Sequence, residues 1–227
     1  MSWSGGKDSA LALYYALNNP EIEVAKLFTV INRSTGRISM HGVREELLKE
    51  QAAAIGMELE IVYVPENPSM ETYNRLMIQK MQEAKGQGVK AIVFGDIFLE
   101  DIRKYREDQL QKVGMEAVFP LWGKKSGTLI QDFIDLGFKT IVVCVDECKL
   151  DENFLGKIID NQWENLLPEN VDPCGENGEF HTFVFDGPVF QRPVKFTKGQ
   201  IVRKTYNINN GNEEKEYGFR FLDLLGK

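Results

Sequence analysis

The sequence predicts an α/β protein with two units: a parallel, doubly wound sheet domain at residues 1–119 and a smaller mixed α/β domain at residues 120–227. Three observations lead there. Helix-period and short apolar strand runs alternate through the first half. A Gly-rich turn, Ser4-Gly5-Gly6-Lys7-Asp8-Ser9, runs straight into the first helix. After Pro120 the chain changes to shorter runs punctuated by Gly and Pro. Strand–helix alternation implies a mainly parallel sheet covered on both faces, with helices as the crossovers.

Residues 7–17 read as a helix with Ala10, Leu11, Leu13 and Tyr14 on one side. A strand follows at 24–31, then a helix at 44–55 stopped by Gly56. Residues 59–64 are a strand ended by Pro65. Residues 69–85 are a helix, with Ser69 as N-cap and Glu71 suited to the positive helix start. A short apolar strand at 91–94 ends at Gly95-Asp96, a charged helix covers about 101–113, and a strand covers 117–119. Beyond Pro120 the reading is a helix at 126–136 closed by Gly137, a strand at 140–145 and a helix near 152–166. Alternating runs follow at 180–185, 200–206 and 216–222, with a polar hairpin tip at 207–214.

Bulk numbers exclude several classes. The 227 residues are 43% hydrophobic and 27% charged, which is ordinary for a globular protein with its own core. No apolar run approaches the roughly 20 residues needed to cross a bilayer. No charged-then-apolar signal segment precedes Ser4, so a cytoplasmic protein with no membrane partner is expected. The formal net charge of -7 argues against broad nucleic-acid binding. Cys144, Cys148 and Cys174 do not make a disulfide framework, and Cys144 sits in an apolar run that suits a buried thiol. With two histidines, no protein-built metal site is expected. Nothing in the pattern decides whether the chain forms a homo-oligomer.

In doubly wound sheets, ligands sit beyond the carboxyl ends of the strands. Four features land there: the Gly-rich turn, the end of the 24–31 strand with Thr29 and Val30, Gly95-Asp96, and Pro120-Leu121-Trp122. The turn itself reads as a phosphate or pyrophosphate cradle. Gly5 and Gly6 let the backbone approach an anion, the helix start adds partial positive charge, and Ser4, Ser9 and Lys7 add donors. It has neither the G-x-x-x-x-G-K-[ST] nor the G-x-G-x-x-G spacing. The alternative is a Gly-Gly turn capped by Asp8 or Ser9 that only starts a helix.

A second cluster lies between Cys174 and Thr182, with Glu176, Glu179 and His181 in one short segment and Gly175 and Gly178 allowing sharp turns. On a strand beginning near Glu179, residues two apart share a face, which sets Glu179 beside His181 as a proton-transfer pair. The alternative is a solvated turn before a strand. Arg103 and Arg106 share a helix face just past Gly95-Asp96, where they suit an acidic substrate or leaving pyrophosphate; an exposed charged helix is the alternative.

The turn resembles the PP-loop of the ATP pyrophosphatases, which belong to the adenine nucleotide alpha-hydrolase-like superfamily with its Rossmann-like (HUP) domain. The whole chain resembles the diphthine–ammonia ligase family. The segments that carry this are Ser2-Trp3-Ser4-Gly5-Gly6-Lys7-Asp8-Ser9-Ala10, Met40-His41-Gly42-Val43-Arg44, Gly95-Asp96-Ile97, residues 103–107, Pro120-Leu121-Trp122 and Cys174-Gly175-Glu176-Asn177-Gly178-Glu179-Phe180-His181-Thr182. The resemblance implies ATP and Mg²⁺ as ligands. Ser4, Gly5, Gly6, Lys7, Asp8, Ser9, Thr29, Val30, His41, Gly95, Asp96 and Arg103 would surround the nucleotide. Lys7, Asp8, Glu176, Glu179 and His181 would form the catalytic set.

It also implies the reaction: adenylation of a carboxylate-bearing acceptor with release of pyrophosphate, then capture by ammonia or an amine to give an amide and AMP. Two departures stand out. Only Met1-Ser2-Trp3 precede the turn where the family has a full apolar strand, so a short leading strand or a truncated start is expected. The diphthamide-making branch carries Glu-Gly-Gly-Glu, an aromatic and Glu; here Glu176-Asn177-Gly178-Glu179-Phe180-His181 resembles a bacterial branch linked to corrinoid salvage. The other readings are a PP-loop sulfur transferase using Cys174 and a nucleotide-binding module without turnover.

Overall fold

The structure, a computed structural model, describes residues 1–210 and 213–227, with the side chains of 206–215 outside that description. Helix α1 (Lys7–Leu17) starts directly from the glycine turn and buries Ala10, Leu11, Ala12, Leu13 and Ala16. Strand β1 (Leu27–Asn32) pairs in parallel with β3 (Leu59–Val64) and, at its far end, antiparallel with the two-residue β2 (Arg37–Ile38). Strands β4 (Ala91–Val93) and β5 (Glu116–Val118) form a second parallel pair.

The first three residues join the two pairs. The Trp3 N–H donates to Phe28 O and the Phe28 N–H to Met1 O, both at 2.8 Å, while the Ser2 N–H donates to Val93 O at 2.9 Å. The short leading strand therefore lies between β1 and β4, and the turn that follows it opens at the point where the sheet order reverses. That is where an open α/β sheet leaves a crevice.

Helices cover both faces, and strand alternation shows it. Leu27, Ile31 and Val93 belong to a cluster with Leu11 and Leu13 of α1 and Leu47, Leu48 and Ala52 of α2 (Glu45–Ile55). Their neighbours Phe28, Ile92 and Phe94 belong to another, with Met81 of α3 (Met70–Gly86) and Leu110 of α4 (Glu100–Gln111). Side chains one residue apart on a strand face opposite ways, so α1 and α2 lie on one side and α3 and α4 on the other. The ends follow local chemistry: Gly56 stops α2 at φ 84°, and the Ser69 side chain accepts the Thr72 N–H at the start of α3.

After α5 (Ser126–Asp135) the pairing becomes antiparallel. Strands β6 (Lys139–Asp146), β7 (Phe180–Asp186), β8 (Phe196–Asn210) and β9 (Glu213–Gly226) form a sheet in the order β7-β6-β9-β8. The polar tip expected at 207–214 lies outside the described side chains, and residues 211–212 outside the description altogether. Leu129, Phe133, Ile141 and Phe183 share one cluster with Leu11, so the core is continuous across residue 120.

The long helix expected at 152–166 does not form. The segment holds a 3₁₀ turn (Glu152–Phe154) and a single-turn helix α6 (Trp163–Leu166). Gly156 between them adopts φ +78°, and the edge of β6 captures the chain: the Gly156 N–H donates to Val142 O and the Ile159 N–H to Thr140 O. Those bonds compete with a helix and win. Among the described residues no helix is long and apolar enough to cross a membrane.

Candidate active site

The crevice at the reversal point is a cavity of about 510 Å³. Ser4, Lys7, Asp8 and Ser9 form one wall; Thr29, Val30 and His41 come from the end of β1 and the loop after β2; Gly95, Asp96 and Arg106 come from the end of β4 and from α4; Glu176, Phe180, His181 and Thr182 close it from the second half. Segments widely separated in sequence thus meet in one place.

The turn is braced from behind. Gly5 has φ +77°, and a Cβ there would lie 2.6 Å from Gln51 Oε1. Gln51 is fully buried and donates to Gly5 O at 2.9 Å and Val184 O at 2.6 Å. Strand β7 adds two ties: the Val184 N–H donates to Gly5 O at 2.9 Å, and Thr182 Oγ1 accepts the Lys7 N–H at 3.0 Å. The Gly6 N–H donates to Ser4 Oγ at 3.2 Å. The amides of Gly6 and Lys7, expected to face an anion, are thus engaged by the protein's own hydroxyls. Ser9 Oγ donates to Gly6 O at 2.9 Å. Gly95 touches the turn closely, since a Cβ there would lie 2.8 Å from Asp8 C and 2.9 Å from Asp8 O.

Lys7 is 4% exposed, with Nζ 2.9 Å from Asp8 Oδ2 and 5.1 Å from the centre of the Phe180 ring. Burial is the largest single influence and opposes the ammonium, but Asp8 beside it, with smaller help from Cys174 and Glu176, keeps the Lys7 pKa above its ordinary value. Burial raises the Asp8 carboxyl against the pull of Lys7. Glu176 is pushed up to about 7, first by burial and also by Asp8, against the hydrogen bond its Oε1 accepts from the Ile97 N–H at 2.7 Å. It therefore changes protonation near neutrality, which suits a general base.

The imidazoles of His41 and His181 lie 4.4 Å apart, tilted by 31°. His41 Nδ1 is 3.3 Å from Thr182 O, and that carbonyl can only accept, so the proton sits on Nδ1. Burial lowers His41 to about 4 and His181 well below its ordinary value. Both rings are neutral at pH 7.

Two sequence expectations fail. Glu179 does not pair with His181. Its Oε1 accepts from the Asp172 N–H at 3.1 Å and from Asn177 Nδ2 at 3.0 Å, so the side chain turns back to brace its own loop, outside the cavity. Strand β7 begins at Phe180, leaving Glu179 in the preceding turn where the two-residue face rule does not apply. Arg103 does not line the cavity. Its guanidinium lies 4.6 Å from the Trp122 ring and 5.2 Å from the Phe119 ring and is paired with Glu107. Arg106 lines the cavity instead, joined to Asp96 at 2.7 Å.

Gln51 and Tyr73 belong to no motif in the sequence, and Thr182 enters there only as the last residue of the 174–182 segment, without a role of its own. Tyr73 and Thr182 line the cavity. Thr182 carried a signal, being a polar residue between His181 and the apolar run 183–185; Gln51, in an alanine-rich helix, carried almost none.

Residues 1–117 match the diphthamide synthase N-terminal domain, and residues 125–217 match the diphthamide synthase C-terminal domain. This chain belongs to the diphthamide synthase family. It is 29% identical over 118 residues to a diphthine–ammonia ligase of Schizosaccharomyces pombe, covering 50% of this chain and 20% of that protein. The proteins of the same name from Bos taurus and Homo sapiens are each 27% identical, over 132 and 133 residues, covering 56% of this chain and 47% of each. The chain thus spans about half or less of the length of these curated relatives. The residues that line the cavity all fall inside the two family matches.

Proposed function

We propose that this chain is an ATP-dependent amide ligase that forms AMP and pyrophosphate, working as diphthine–ammonia ligases are named for. The observation that carries the reading is the bond from the Lys7 N–H to Thr182 Oγ1. It sets the glycine turn and the 174–182 segment against one cavity, so a phosphate cradle and a carboxyl titrating near 7 face the same bound substrate. Lys7, Ser4 and Ser9 hold the two outer phosphates of ATP. An acceptor carboxylate oxygen attacks the inner phosphorus, the bond to the outer pair breaks, and pyrophosphate leaves with its charge stabilised by fixed donors. Ammonia or an amine then attacks the acyl carbon, Glu176 takes its proton, and AMP departs.

Mg²⁺ fits this set: a hard ion bound mainly by phosphate oxygens and water takes one or two carboxylates, and Asp8 faces the cavity. It would supply charge neutralisation on the phosphates. The nucleotide half is residues 1–119 and the acceptor half 120–227, and the setting is the cytoplasm.

A second acceptor reading comes from His181, a neutral ring at the cavity where the diphthamide-making branch has an acid. It favours a corrinoid side-chain acid as acceptor. The test is chromatography of nucleotide products after incubation with Mg²⁺-ATP, ammonium and each acceptor. AMP with pyrophosphate is expected, and ADP as the product would overturn the cradle assignment.

A further inference from the structure

We propose that Arg106 binds the inner phosphate of the nucleotide through the outer edge of its guanidinium. The inference rests on the reading of the glycine turn as the holder of the outer phosphates.

A guanidinium has five N–H donors in a fixed plane. In Arg106 one edge is used: Nη2 donates to Asp96 Oδ1 at 3.0 Å, and Nε lies 2.7 Å from Asp96 Oδ2. The plane is fixed a second time by Phe94, whose ring centre lies 4.3 Å from the guanidinium carbon. Among the described residues Nη1 has no acceptor, and the side chain stays 31% exposed at the cavity. Both N–H groups of Nη1 and the second of Nη2 therefore form an open fork, held in orientation before any ligand arrives. Such a fork matches two oxygens of one oxyanion.

Position selects which oxyanion. Among the described residues lining the cavity, only Lys7 and Arg106 carry a full positive charge at neutral pH. Lys7 belongs to the turn. Gly95 packs on the Asp8 backbone, so Asp96 and the fork it carries continue the wall directly beyond the turn. A phosphate chain seated in the turn presents its inner member next along that wall. Asp96 offsets the charge of Arg106 without occupying the fork, so the residue reads oxygen geometry as well as charge. The acceptor carboxylate is the other oxyanion of this reaction, and the test separates the two.

Calorimetric titrations of the full chain with AMP and, separately, pyrophosphate, each with Mg²⁺, compare wild type with Arg106→Lys and Arg106→Gln. Lysine keeps the charge opposite Asp96 and loses the fork. For Arg106→Lys, AMP binding is expected to weaken about tenfold or more, the order of a charge-assisted bidentate contact, while pyrophosphate binding stays within about twofold. Arg106→Gln should lose at least as much AMP affinity. AMP affinity unchanged in both variants would overturn the proposal and leave the fork to another oxyanion. Equal weakening of AMP and pyrophosphate would overturn it too, by making Arg106 a support of the whole cavity. A wild-type chain that binds no pyrophosphate would instead sink the reading of the turn, which the pyrophosphate titration tests alone.

Discussion

Gln51 donates its side-chain amide to the carbonyl of Gly5 at 2.9 Å, and through it helix α2 holds the glycine turn in place. The same amide donates to Val184 O, and its oxygen accepts the Trp3 indole N–H at 3.1 Å. One fully buried side chain thus ties the leading strand, the turn and β7 together. Gln51→Leu keeps the volume and deletes three hydrogen bonds; Gly5 O keeps the Val184 N–H, but the buried Trp3 indole N–H loses its acceptor, at roughly 1–3 kcal/mol beyond the lost bonds themselves. A loss of about 2–5 kcal/mol is expected, seen as a melting temperature lower by on the order of 5–15 °C for a chain of this size. A change within a degree or two would show that the turn holds its shape without this brace.

Glu176 links stability to pH. Its pKa is raised from 4.5 to about 7 in the folded chain, so the folded state binds the proton more tightly than the unfolded one. The contribution is fully present below about pH 4.5 and is lost as pH rises through 7. Urea unfolding of wild type should therefore lose stability relative to Glu176→Gln between pH 5 and pH 8. The proposed base role runs the opposite way, with turnover rising as Glu176 deprotonates near 7. If the stability difference between the two proteins does not vary with pH, Glu176 does not carry the raised pKa.

How much of this was legible in sequence depended on the range of the forces involved. The bounds of α1 and β3 came from local periodicity, and the Ser69 cap and the Gly56 stop came from residue chemistry that acts within one turn. The glycine turn was legible because positive φ and close approach both demand glycine. The failures involve distant partners. Arg103 and Arg106 share a helix and a charge, but Trp122 and Phe119 hold one while Asp96 and Phe94 hold the other. Glu179 turned on where β7 begins, a matter of one residue. The break near Gly156 came from a strand edge supplied by β6.

Gly95 meets the turn by close packing and not by an unusual backbone angle. In Gly95→Ala the new methyl would lie 2.8–3.0 Å from backbone atoms of Asp8 and Ser9, which cannot rotate away. The cost is about 1–3 kcal/mol, and the turn must move. Mg²⁺-ATP affinity is expected to fall by about tenfold. Gly86→Ala is the control, because at the end of α3 nothing lies within 4 Å of the added carbon. Equal behaviour of the two variants would separate the end of β4 from nucleotide binding.

Cys174 decides between amide ligation and sulfur transfer. It is buried, its Sγ donates to Ser126 O at 3.4 Å, and burial pushes its thiol pKa well above the ordinary value. A sulfur carrier needs an accessible thiolate, and this thiol is a protonated donor packed inside the second half of the chain. Cys174→Ser preserves the donor to Ser126 and removes the sulfur. The ligase reading expects AMP formation within about twofold of wild type, with stability lowered by ~1 kcal/mol from replacing a packed sulfur by a smaller oxygen. The sulfur-transfer reading expects turnover to vanish while Mg²⁺-ATP still binds. Measuring AMP release and nucleotide affinity on the same variant separates the two, since a folding defect would lower both.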